Sequence, residues 1–127
     1  FYNRKVYRAN TIFYSYKRPY EERKRAMYWI LRDEYYTDCG AVEILKDWGV
    51  WEYFEKDWYR WAASYNYRIK YYLETGDFIT GVDEVISAPN RKLTFKEIMR
   101  PISKKKLRYM RKLVADFPKA KVDSDND

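Results

Sequence analysis

The most regular pattern of apolar positions runs through the middle of the chain, where Ile44, Trp51, Phe54, Trp58, Trp61, Tyr65 and Tyr72 fall on three- and four-residue steps, with gaps at Asp47 and Arg68. Residues three and four apart share one face of a helix, so the stripe predicts a helix over 50–75 that ends at Gly76. Trp51, Phe54, Trp58, Trp61, Tyr65 and Tyr72 are read as its packing face, with Glu52, Glu55, Lys56, Arg60 and Lys70 on the other side. Rings of this size do not fit compact knobs-into-holes packing, which argues for a helix packed across several partners rather than a two-stranded coiled coil. Residues 41–48 read as a preceding helical piece bent at Gly49.

Upstream, Pro19 followed by Glu21 and Glu22 suits a helix start, because carboxylates favour the positive end of the helix dipole. Met27, Ile30, Leu31 and Tyr35 supply an apolar face, so a helix is predicted over 20–37 with its end near Gly40. Downstream, Thr94 and Glu97 have the spacing of a capping box, and Leu93 and Ile98 that of a hydrophobic staple. Pro101 stops this short helix. Ser103 then caps another, in which Leu107, Met110, Val114 and Phe117 step by three and four. The stretch 77–90 reads as a connector with a helical turn at 83–87.

Residues 1–18 show no helical period. Tyr2, Tyr7, Phe13, Tyr14 and Tyr16 alternate loosely with Arg4, Lys5, Arg8, Lys17 and Arg18, and the stretch reads as an extended arm laid on another surface. The expected class is therefore mainly α: a few amphipathic helices in a body over 19–117, an extended arm over 1–18, and a polar, acidic tail over 118–127.

Composition narrows the chemistry. A chain of 127 residues supplies one domain and one modest core. It contains no histidine, which excludes Ser-His-Asp and Cys-His nucleophiles and every zinc site that uses imidazole. The single cysteine, Cys39, excludes an intramolecular disulfide and a Cys-x-x-Cys redox pair. No glycine-rich phosphate loop is present. Glu52, Glu55 and Asp57 lie close together but on the polar side, as a solvated face; Cys39 reads as a packed thiol; Asp123, Asp125 and Asp127 lack the glycine and distal glutamate of a calcium loop. The expectation is no enzyme, no cofactor, no metal and no small-molecule substrate.

Charge changes the picture more. The formal +7 divides into +6 over 1–25, −4 over 26–99, +8 over 100–121 and −3 in the tail. Arg100, Lys104, Lys105, Lys106, Arg108, Arg111 and Lys112 crowd onto and just before one short helix, where they repel one another unless something anionic neutralises them. With Tyr2, Arg4, Tyr7, Arg8, Phe13, Tyr14, Tyr16 and Arg18 of the arm, they are the expected interaction residues, since aromatic and arginine side chains anchor interfaces. Partners of the right sign are an acidic protein subunit, anionic lipid headgroups, or RNA.

These features point to a non-catalytic accessory subunit of a large assembly, expected to be a mitochondrial respiratory-chain or ATP-synthase complex. The start at Phe1 without a methionine fits a removed presequence and a place peripheral to the inner membrane. The alternative is a mitochondrial ribosomal protein or other RNA-binding subunit, whose basic ends meet phosphate.

Overall fold

A computed structural model describes residues 4–79 and 86–116. Five helices follow one another: α1 (Arg4–Phe13), α2 (Tyr20–Asp47), α3 (Trp51–Thr75), α4 (Phe95–Met99) and α5 (Lys104–Asp116), with no strand among the described residues. The chain is mainly α, as its periodicity implies.

α2 and α3 form an antiparallel hairpin. Gly49 makes the turn with a φ of 71°, a left-handed conformation that side chains with a Cβ rarely adopt. At the opposite end the Tyr20 hydroxyl donates to Glu74 at 2.5 Å. α3 stops where expected, with Gly76 as a left-handed C-cap at φ 76° and its N–H donating to the Tyr72 carbonyl. α2 does not stop near Gly40. The predicted 20–37 helix and the 41–48 piece are one continuous helix. A glycine inside a helix costs only about 1 kcal/mol relative to alanine, and burial of Val42 one half-turn later offsets that.

The largest correction concerns the N-terminus. Residues 4–13 are a helix, not an extended arm, and Val6, Ala9 and Phe13 are its buried face at steps of three and four. The tyrosines had masked this period: Tyr7 and Tyr16 are exposed and Tyr14 is only partly covered, whereas Val6, Ala9 and Phe13 are buried. α1 lies on α2, and Phe13 is fully buried in a core with Ala26, Met27, Ile30 and Leu31 of α2 and Ile69, Tyr72 and Leu73 of α3. Arg23 locks this junction. Its Nε donates to the Phe13 carbonyl at 3.1 Å, one of the unpaired acceptors at the end of α1, and its guanidinium lies 5.9 Å from the Phe13 ring and 5.7 Å from that of Tyr72.

A second core joins α3 to α5, with Tyr71 packing against Ile79, Ile86, Met110 and Leu113. Tyr71, Tyr72 and Leu73 are consecutive and all buried, because the end of α3 is covered on two sides. The capping box of α4 is present in both directions: Glu97 N–H donates to Thr94 Oγ1 at 3.1 Å and Thr94 N–H to Glu97 Oε1 at 3.0 Å. Arg91 adds a paired contact to the same carboxylate at 2.7 and 2.9 Å, and together these hold the Glu97 carboxyl down at about 2. The Lys106 N–H donates to Ser103 Oγ at 3.0 Å, which starts α5 as expected. The proposed turn at 83–87, Phe117 and the acidic tail 118–127 lie wholly or partly outside the described residues.

Replacing Phe13 with alanine should cost about 3–5 kcal/mol of stability in the isolated chain, the range for truncating a fully buried phenylalanine. Urea denaturation followed by circular dichroism reads this directly. An arm that merely rested on a partner would leave the midpoint of the isolated chain unchanged.

Candidate functional site

The aromatic stripe of α3 does not form a single packing face. Tyr72 and Trp51 are buried and Trp58 and Tyr65 half-buried, but Phe54 is exposed and Trp61 is 57% exposed. The correction follows from where the partners lie. α1 and α5 cover only the C-terminal half of α3, so residues 52–57 are all exposed and the stripe runs out from under its cover. Trp51 is buried within the helix's own neighbourhood, its indole meeting Tyr59 edge-on at 5.3 Å.

The result is a hairpin tip rich in uncovered rings. Trp48 is 73% exposed and Tyr53 84%, on either side of the Gly49 turn, with Phe54 and Trp61 two turns apart on α3. Ile44 near the end of α2 and Trp48, its C-cap four residues on, are both exposed, and Tyr36 is exposed farther back on the helix. Between these rings the tip carries Glu43, Asp47, Glu52, Glu55 and Asp57 against Lys46 and Lys56, all exposed, an acidic setting. Sequence reasoning assigned Trp61 and Phe54 to the core and passed over Trp48 and Tyr53, because periodicity reports which side chains share a face and not whether that face is covered.

The cationic residues separate into two groups. Arg100, Lys104, Lys105, Arg108, Arg111 and Lys112 are exposed, and they form the basic face anticipated from sequence. Lys106 is turned inward. Its Nζ donates to the carbonyl of Ile86, and to that of Ser87 at 3.4 Å, and it lies 4.4 Å from the Tyr67 ring and 5.1 Å from that of Tyr109. It secures the Ile86–Ser87 turn, where Ser87 has a φ of 60°. Of the N-terminal residues, Arg4, Tyr7 and Arg8 are exposed on α1, Arg18 pairs with Glu22 at 3.8 Å, and Tyr16 faces solvent. Tyr14 closes over the core, with Phe13 at 4.9 Å, Tyr72 at 5.4 Å and Phe78 at 5.9 Å. Phe13 is core, and Tyr2 lies outside the described residues.

Two carboxylates stand out for their surroundings. Glu34 and Asp38, one turn apart on α2, are half-buried with no cation paired to them among the described residues. Burial pushes the Asp38 carboxyl up to about 6. Burial also raises Glu34, helped by the charges of Asp38 and Asp33. The Tyr65 hydroxyl is raised by burial and then by Glu34. Nothing in the spacing of these residues set them apart from a solvated helix face. No group of three or more potential metal ligands occurs among the described residues, and no helix there is long and apolar enough to cross a membrane.

Because the folded chain holds the Asp38 proton more tightly than the unfolded chain does, its contribution favours folding at low pH and is lost as pH rises through about 6. Asp38→Asn should therefore raise the melting temperature at pH 7.5 and have little effect at pH 4.5, read by thermal denaturation at both values; equal shifts at the two would contradict the raised carboxyl. Comparison with known proteins finds no matching family model, no matching curated protein and no matching solved structure, so the reading of these surfaces rests on their own residues.

Proposed function

We propose that this protein is a non-catalytic accessory subunit of a large multi-subunit assembly, docked through the tip of the α2–α3 hairpin. The observation that carries the reading is the ring of uncovered side chains there: Ile44, Trp48, Tyr53, Phe54 and Trp61. Tryptophan and tyrosine are the residues that most often anchor interfaces once desolvated, and the described residues leave these side chains exposed. The acidic residues among them suit a partner with basic residues at the rim of an apolar groove. The setting we propose is a mitochondrial respiratory-chain or ATP-synthase complex, at the periphery of the inner membrane. The six exposed cations at and around α5 suit anionic headgroups or an acidic neighbour there. The same cations favour a second reading, an RNA-binding subunit of a mitochondrial ribosome, in which they meet phosphate.

Affinity purification of the tagged protein with and without RNase separates the two. Membrane-complex subunits retained after RNase support the first reading; ribosomal proteins lost with RNase support the second. The triple variant Trp48→Ser, Tyr53→Ser, Trp61→Ser should keep its denaturation midpoint, since exposed substitutions usually change stability by no more than about 0.5 kcal/mol each. It should lose its partners, because removing one hot-spot ring costs about 2 kcal/mol or more of binding. Retention of the same partners by the triple variant would rule out the tip as the docking surface.

A further inference from the structure

A groove of about 400 Å³ lies between α1 and α2 and opens to solvent. Ala9 and Ile12 of α1 and Ala26 of α2 make its lining apolar, and side chains this short leave a recess that larger ones would fill. Trp29, only partly covered, lines it from α2. Lys5, Arg8 and Arg25 border the same space and are all exposed. Glu22, the one carboxylate among the lining residues, is 3.8 Å from Arg18, which offsets its charge. The groove is therefore an apolar recess with a cationic rim. A cavity of roughly 150 Å³ holds one benzene-sized ring, so this one has room for two.

The hairpin tip has the complementary character. It presents Trp48, Tyr53 and Phe54 among Glu43, Asp47, Glu52, Glu55 and Asp57, whose charges outnumber those of Lys46 and Lys56. We propose that the tip of one copy of this chain docks into the α1–α2 groove of a second copy. Its rings enter the apolar recess, and its carboxylates meet Lys5, Arg8 and Arg25. Charge disfavours the other self-contacts, since tip against tip opposes carboxylates and groove against groove opposes cations. Nucleic acid suits the groove less well, because the ring on which a base would stack is already met by Lys5 at 5.4 Å and Arg32 at 5.3 Å. Tip and groove are different patches, so the contact is heterologous and copies add head to tail. This inference rests on the reading of the tip as a docking surface and names its partner.

Sedimentation velocity of the full chain over about 5–200 µM tests this. Association that grows with concentration, survives RNase and weakens by about tenfold or more between about 0.05 and 0.5 M salt is expected. A groove variant, Arg8→Glu with Arg25→Glu, and a tip variant, Trp48→Ser with Tyr53→Ser, should each weaken self-association by about tenfold or more while keeping the helical circular dichroism signal. Lys104→Glu with Arg108→Glu makes the same change in net charge on α5 and should leave association in place. The deciding measurement mixes the two variants. The groove variant supplies an intact tip and the tip variant an intact groove, so the mixture should form a one-to-one heterodimer that neither makes alone. A monomeric wild-type chain, oligomers dissolved by RNase, undiminished association of the groove variant, equal loss in the α5 variant, or a mixture without heterodimer would overturn the proposal. A monomeric chain whose tip variant still loses its assembly partners overturns the second copy alone and leaves the tip reading standing; assembly partners kept by the tip variant overturn the tip reading itself.

Discussion

The fold depends on burying the C-terminal half of α3 from two directions. Ile69, Tyr72 and Leu73 meet α1 and α2, while Tyr71 meets Ile79, Ile86 and the inner face of α5. A helix covered on one side shows a stripe of apolar residues; one covered on two sides buries consecutive residues, as 71–73 do here. The apolar side chains available to this short chain are concentrated around that half. The N-terminal half of α3 and the C-terminal end of α2 extend beyond it, and this leaves rings such as Trp48 and Tyr53 uncovered.

Three cations inside the structure are handled in one way. Arg23 donates to the Phe13 carbonyl at the end of α1, Lys70 to the Glu97 carbonyl in α4 at 3.4 Å, and Lys106 to the carbonyls of the Ile86–Ser87 turn. Each fixes one element to another through a main-chain oxygen at a helix end or turn, and that of Glu97 accepts from the Arg100 N–H as well. None of the three uses a carboxylate for this. Burial, and then Arg100, lowers Lys70 to about 8, and burial lowers Lys106, so their charge is held at some cost where the carbonyls are needed. A chain with a surplus of cations can spare three for its interior, and the exposed remainder at α5 forms its basic face.

A cavity between α2 and α3 shares a physical origin with the tip. Large rings on facing helices hold the helices apart unless small residues interleave with them. Near α1 they interleave, with Ala9 and Ala26 between Phe13, Met27 and Tyr72. Farther along the hairpin, Tyr35, Trp58, Tyr59 and Tyr65 meet around Glu34, Asp38 and Cys39, and the space between them stays open. The packing that leaves the tip bare therefore also leaves polar groups lining a gap within the hairpin.

Local chemistry was legible in the sequence wherever a short-range rule decides the outcome. Gly76 as a left-handed cap, the Thr94–Glu97 box, Ser103 at the start of α5 and the helical nature of 51–75 each depend on residues within one or two turns, and each is present. Where a distant element decides, the sequence was silent or misleading. The helix at 4–13 is defined by Val6, Ala9 and Phe13 fitting against α2, a contact that tyrosine and arginine spacing does not reveal. α2 runs on through Gly40 and buries Val42 beyond it, and Lys106 leaves the basic face because the Ile86–Ser87 turn offers it oxygens. The sequence by itself determined that the chain is helical, basic at its ends and without histidine chemistry, since propensity, charge and composition are local quantities. Only the tertiary structure decided which aromatic rings are core and which are surface, because burial depends on where the rest of the chain lies.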